Sequence, residues 1–417
     1  MQLKRVVVTG LGAVTPLGNT VQDYWTNLLA GKSGAARITR FDPSKFKTQF
    51  ACEVKGFNPE EYFDKKEARK LDPYSHYGIA SAVQAVNDSG INAEGVDKTR
   101  VGVIWGSGIG GLQTFQDECF AFAKGDGTPR FNPFFIPKMI ADICSGHISI
   151  RFGFHGPNFT TVSACASSTN ALIDAFTYIR LGKANAIVTG GSEAAICEAG
   201  IGGFNACQAM STRNDSPEIA SRPYDKDRDG FVLGEGGGAL ILEELEHALA
   251  RGAKIYAEIV GGGLSADAHH ITAPHPEGLG AALVMRGALE DSGLQPSDID
   301  YINTHGTSTP LGDTAELKAI NKIFGEQAFK MNISATKSMT GHLLGAAGAI
   351  EGIATILAVK NDVVPPTINH FTDDPEIDSR FNLTFGKAQN RVVRAAISNT
   401  FGFGGHNAAV VVKKYPA

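Results

Sequence analysis

Short apolar runs bounded by glycine alternate along the chain with longer stretches of helical spacing. Arg5 to Thr9 (RVVVT), Arg100 to Trp105 (RVGVIW), Ala186 to Thr189 (AIVT) and Gly238 to Leu242 (GALIL) predict buried strands. Between them, Tyr77 to Ser89 (YGIASAVQAVNDS) and Ala171 to Leu181 (ALIDAFTYIRL) predict helices. This alternation points to an α/β layered fold with largely parallel pairing.

The second half repeats the order of events. Ile255 to Gly263 (IYAEIVGGG) matches the opening strand and its glycine turn, and Ala281 to Ser292 supplies a helix like residues 77–89. Ile299 to Gly306 (IDYINTHG) falls where RVGVIWG fell. Ile333 to Glu351 then parallels Phe159 to Asp174 as a short strand, a polar turn and an Ala-rich helix, and Ala395 to Gly402 parallels AIVTGGSE. The expectation is a duplication, residues 1–252 and 253–417, with a long insertion at about 107–140 in the first half. That insertion contains FNPFFIPKMI, too apolar for an ordinary solvent loop, and is expected to pack on a partner subunit or line a pocket.

Composition narrows the class. A chain of 417 residues with 43% hydrophobic and 19% charged residues is neither disordered nor fibrous. A formal charge of −5 argues against nucleic acid as the main partner. Six scattered cysteines without a C-x-x-C pair argue against a zinc ribbon or a disulfide framework, and for a reduced, cytoplasmic protein. No apolar run reaches the ~18 residues of a membrane span, so no membrane insertion is expected. The opening residues read as a strand rather than a targeting segment.

Four segments carry candidate chemistry. In TVSACASST, Cys165 stands between a β-type run and a helix start, where free N–H groups and the helix dipole favour a thiolate. In NTHGTSTPLGD, His305 ends a predicted strand and hydroxyl residues follow it; an imidazole there can donate to a developing anion. In ISATKSMTGHLLGAAGAIEG, Lys337 and His342 flank a turn into a helix carrying Glu351. In SNTFGFGGHNA, Phe401 and Phe403 sit in a glycine loop able to approach a ligand. Gly106 to Gly111 fits G-x-G-x-x-G, but the acidic strand end that fingerprint requires is missing. His269, His270 and His275 lack the H-E-x-x-H spacing, so neither a dinucleotide nor zinc is expected.

Together and in this order, these motifs resemble the β-ketoacyl-[acyl carrier protein] synthases of the thiolase-like superfamily, over nearly the whole chain. ADAHHITAPHPEG and Ile109 in GSGIGG look like the elongating synthase II form more than synthase I. His342 stands where the form primed by acyl-CoA has Asn. The resemblance implies a dimeric, five-layered α/β/α/β/α sandwich built from the two halves. It implies decarboxylative Claisen condensation in fatty acid biosynthesis, with a polyketide-type ketosynthase subunit as the alternative. Cys165 would take the acyl group, His305 and His342 would favour CO2 loss, and the N–H groups of Cys165 and Phe403 would form the oxyanion hole. Lys337 and Glu351 would be a charged pair fixing His342.

The resemblance also implies supporting roles. Thr307 and Thr309 would bond the phosphopantetheine arm, Phe401 would contact substrate, Phe403 would be a gate, and Ile109 and Phe204 would border the acyl tunnel. Lys66, Arg69, Lys70 and Arg213 would dock the acyl carrier protein, in acyl and malonyl forms, because Gln208 occupies a place where some relatives are basic. His406 replaces a Thr beside the gate. The enzyme would need no cofactor of its own and no catalytic metal. Asn303, Glu351, Ser398 and Asn399 match positions that hold a structural monovalent cation in some relatives.

Overall fold

The computed structural model describes residues 3–416. Among them, ten strands join in one mixed sheet. In the first half these are β1 (Val6–Val14), β2 (Val101–Gly106), β3 (Asn158–Thr161), β4 (Ala186–Glu193) and β5 (Gly236–Glu244). In the second they are β6 (Ala257–Ala266), β7 (Tyr301–Asn303), β8 (Asn332–Ser334), β9 (Ala395–Gly402) and β10 (His406–Lys413). From the centre outward the order is β1-β5-β4-β2-β3 on one side and β6-β10-β9-β7-β8 on the other. Each side therefore uses its five strands in the same sequence. The senses agree too: β5 and β10 run antiparallel to both neighbours, and the outer strands pair in parallel. The sides meet where Val6–Val8 of β1 pair with Ala257–Ile259 of β6. Residue 252 lies in the connection just before β6.

Helices sort into three layers around the two half-sheets. Helix α1 (Pro73–Ser89) covers β1, β5 and β4 from outside. Asp72 caps it, accepting from Tyr74 N–H, and Pro73 opens it where a missing N–H costs nothing. The glycines of VTGLGAV explain the close fit: a Cβ on Gly12 would lie 2.0 Å from the Ser81 carbonyl oxygen. Helices α2 (Leu112–Lys124) and α3 (Phe135–Met139) form the insertion. Their rings Phe122, Phe131 and Phe135 stack at 5.4 and 5.5 Å, while Phe115, Phe120, Phe122, Phe131, Phe134 and Ile136 stay exposed in the single chain.

The middle layer is α4 (Ser167–Arg180) with α7 (Ala347–Asn361), and the far outer layer is α5 (Leu279–Ser292) with α6 (Pro310–Phe324). Residues 347–359 of α7 are buried on every side, so this helix has no polar face to show water. Its partner α4 touches strands of both half-sheets. A Cβ on Gly348 would lie 2.0 Å from Thr169 Oγ1, so the two central helices cross where only glycine fits. Ala349 N–H donates to Ser168 Oγ at 2.9 Å, tying the helix starts together. The five-layered α/β/α/β/α sandwich follows, with two helix N-termini meeting near its centre.

Candidate active site

Cys165 lies one turn before α4. Ala164 takes φ +51°, a left-handed conformation that costs a non-glycine residue about 1 kcal/mol, and Ser167 N–H closes the turn onto the Ala164 carbonyl at 3.2 Å. The β9 loop crosses directly above: a Cβ on Gly402 would lie 3.0 Å from Cys165 N. The backbone N–H of Phe403 reaches the sulfur. Burial pushes the Cys165 thiol up to about 12, with Lys337 and the Phe403 N–H pulling the other way. The helix terminus was expected to favour thiolate; the dry surroundings outweigh it, and the resting group is a neutral thiol.

Two imidazoles face the same space. Their ring centres are 5.2 Å apart and the planes nearly perpendicular, at 86°. Glu316, buried on α6, holds the His305 strand end by accepting the N–H groups of His305 and Gly306, each at 2.9 Å. Lys337 Nζ sits 3.5 Å from His305 Nδ1 and pairs with Glu351 behind it. The hydrogen-bond contact of Lys337 is thus with His305, where the resemblance had implied His342. An ammonium beside Nδ1 makes that nitrogen the acceptor, which leaves the proton on Nε2. His342 is fixed through its backbone instead: its N–H donates to Val232 O at 2.7 Å, and its carbonyl accepts from Gly234 at 2.9 Å. Its Nδ1 has no partner in the protein, and the Phe231 ring packs 5.4 Å from the imidazole. Burial, then the Lys337 charge, holds both histidines well below the usual value, so both are neutral at pH 7.

A cavity of about 410 Å³ joins these groups. Cys165, His305 and His342 line it together with Phe204, Thr307, Thr309, Phe401 and Phe403. Thr307 and Thr309 hold their hydroxyls 3.0 Å apart on one wall. Phe401 packs 5.5 Å from His305 and Phe403 6.5 Å from Phe204. Ile109 is not in the wall; it lies in the loop behind Cys165, its N–H donating to Glu193. Lys66, Arg69 and Lys70 are exposed around the short helix Lys65–Ala68, away from the cavity wall. Arg213 is half-buried and donates to the Asp227 carbonyl at 3.0 Å.

Beside Glu351, three buried oxygens have no hydrogen-bond partner: Asn303 Oδ1, Ser398 Oγ and Glu351 Oε2. Asn303 and Ser398 are register partners across β7 and β9, and Asn303 Nδ2 lies 3.5 Å from the Glu351 carbonyl. One carboxylate with two neutral oxygens suits a hard cation of low charge. Asn399 Oδ1 is also unpartnered, but strand alternation turns that side chain to the other face, against Met285 and Glu316. The Asn399 side chain therefore lies outside this set, contrary to what the resemblance implied. Among the described residues, no group of three or more His, Cys, Asp or Glu forms a metal cluster.

Glu316, which holds the His305 strand end, is the residue of the site that motif reading missed. Glu316 had a signal, since Asp313, Glu316 and Ile320 follow the spacing of the buried stripe of α6. An acidic residue in such a stripe is held there by donors.

A thiol facing two neutral imidazoles in an apolar cavity, with backbone N–H groups above it, defines an acyl-transfer site working through a thioester. Residues 3–248 match the N-terminal domain of beta-ketoacyl synthase, and residues 256–371 its C-terminal domain. The chain belongs to the β-ketoacyl synthase family. It is 50% identical over 415 residues to the 3-oxoacyl-[acyl-carrier-protein] synthase 2 of Synechocystis, covering 100% of this chain and 99% of that one. A solved beta-ketoacyl synthase from Burkholderia phymatum superposes with a TM-score of 0.91 at 34% identity, covering 99% of this chain and 100% of that one. A type II polyketide ketosynthase, solved with its acyl-carrier protein, superposes at 0.88 with 32% identity over all of both chains.

Proposed function

We propose that this protein lengthens an acyl chain by two carbons, condensing an acyl-Cys165 thioester with malonyl-[acyl carrier protein] in fatty acid synthesis. The observation that carries this is the convergence of Cys165, His305 and His342 on one cavity. The thiol attacks an acyl-carrier thioester; the C–S bond to the carrier breaks, and the proton Cys165 gives up leaves with the carrier thiol. Malonyl-carrier protein then enters. His305, through Nε2–H, and His342 donate to the malonyl thioester oxygen as CO2 departs and the enolate forms. The enolate carbon attacks the Cys165 thioester, whose oxyanion the N–H groups of Cys165 and Phe403 stabilise by ~3 kcal/mol per donor. The C–S bond breaks, the Cys165 sulfur takes up one proton from water to restore the thiol, and 3-oxoacyl-carrier protein leaves.

Full-length identity near 50% to a synthase 2, against 32% to the polyketide ketosynthase, favours fatty acid elongation over the polyketide alternative. The exposed aromatic face of α2 and α3 and the open edge of β3 each fit a second copy of the chain. No helix among the described residues is long and apolar enough to cross a membrane. Incubation with acyl-carrier protein alone should add one acyl mass to Cys165, in a protein of twice the chain mass by light scattering. Product should appear only after malonyl-carrier protein is added; absence of the adduct would remove this reading, and a monomer would remove the dimer. In the same assay at low salt, a Lys66→Glu/Lys70→Glu pair should slow acylation about three- to tenfold. An unchanged rate discards that surface as the docking patch.

A monovalent cation at Asn303, Ser398 and Glu351 would satisfy the three unpartnered oxygens, including the Glu351 oxygen that Lys337 does not take, and stiffen the β7–β9 pair under His305. Replacing a tetraalkylammonium salt by potassium or sodium chloride at equal ionic strength should raise Tm by about 2–5 °C. Ser398→Ala should shrink that difference, and equal Tm values in all salts would rule the site out.

A further inference from the structure

Glu193 ends β4, fully buried, and its carboxylate is held by hydrogen bonds from two separate segments. Oε1 accepts from Ile109 N–H at 3.2 Å, Gly110 N–H at 3.2 Å and Ser107 Oγ at 3.3 Å. Oε2 accepts from Gly108 N–H at 2.8 Å and Gly345 N–H at 3.0 Å. Burial pushes this carboxyl up to about 7, and the four N–H groups hold it down.

The two segments are the walls behind the nucleophile. A Cβ on Gly108 would lie 3.2 Å from the Ala164 carbonyl oxygen, so the Ser107–Gly110 loop backs directly onto the Cys165 turn. Gly345 follows Leu344, which takes φ +49° and packs with Cys165, Ile196, Ile201 and Phe231 in one apolar cluster. There is no slack between the walls: a Cβ on Gly345 would lie 2.2 Å from Gly108 N and 2.6 Å from Glu193 Oε2.

We propose that Glu193 is a positioning residue that sets the gap between the Ser107–Gly110 loop and the Leu344–Gly345 turn, and so the acyl length Cys165 accepts. An acetyl group on the sulfur stays short of Leu344, whereas a long acyl chain filling the cavity meets Leu344, which lines it beside Cys165. The anchor works through its acceptor oxygens, because four of the five groups facing it are backbone N–H donors. An amide in its place turns an N–H toward other N–H groups and releases one wall.

This inference rests on the acyl-transfer reading of Cys165, and two full-chain variants separate the two. Glu193→Gln disturbs the anchor; Ser107→Ala removes only a hydroxyl that bonds Glu193 and accepts from Gly110 N–H at 3.1 Å. The measurement is the rate of Cys165 acylation by acetyl- and by dodecanoyl-carrier protein, followed by intact mass. Glu193→Gln should lose about tenfold or more with dodecanoyl yet stay within about threefold with acetyl. Ser107→Ala should shift the same ratio by about two- to fourfold with Tm nearly unchanged, and it decides the matter alone if Glu193→Gln does not fold. Equal losses with both chains, or no loss with either, overturns the assignment. A wild-type enzyme acylated by neither carrier instead fells the acyl-transfer reading, and this inference with it.

Discussion

Changing Cys165 to Gln is expected to abolish condensation, by on the order of 10⁴-fold or more, while CO2 release from malonyl-carrier protein persists. The two outcomes part because the two steps use different groups. Condensation needs a sulfur to carry the acyl chain. Decarboxylation needs only donors aimed at the malonyl thioester oxygen, and His305 and His342 stand apart from the Cys165 turn on their own supports. A glutamine side chain also fits the site, since its carbonyl can take the N–H groups that would meet the thioester oxygen. The check is parallel measurement of CO2 and 3-oxoacyl product. Loss of both activities in a folded variant would mean that the sulfur takes part in decarboxylation.

Changing either histidine to Ala should lower decarboxylation by about 10²–10⁴-fold, the range for removing a donor or proton-transfer group from a dry site. The variants should differ in a second respect. His305→Ala leaves Lys337 facing the cavity, because its contact at 3.5 Å is gone, whereas His342→Ala opens a gap beside Phe231 and leaves Lys337 in place. Since both imidazoles are held well below their usual pKa, their neutral donor form persists as pH falls. Decarboxylation by the wild-type enzyme should therefore be nearly flat from about pH 6 to 8, where free imidazole titrates near 6.5. A steep limb in that range, or full decarboxylation in either variant, would defeat the assigned role.

Much of this could be read from the chain because the site is built from segments with local signatures. Cys165, His305 and Phe403 each follow a strand end and precede small or hydroxyl residues, while His342 follows the short helix Lys337–Thr340 in a glycine-marked turn. The repeat in strand order was legible for the same reason. Strand β10 was not marked as a strand, because His406 and Asn407 read as part of the glycine loop; only its pairing with β6 and β9 shows it in the sheet. The state of the Cys165 thiol was misread because burial arises from both halves together and cannot be inferred from a helix start. The contact of Lys337 with His305 likewise depends on how two loops cross, and Glu193 gave no periodic signal before its donors were in place.

The middle layer also limits how the molecule can be divided. Cut near residue 252, the first half would keep α4 but lose α7, and the second would keep α7, buried on all sides in the whole chain, without its cover. Each fragment would carry an uncovered greasy flank and an incomplete set of reactive groups. Sulfur and imidazoles are therefore inherited, expressed and lost as one unit.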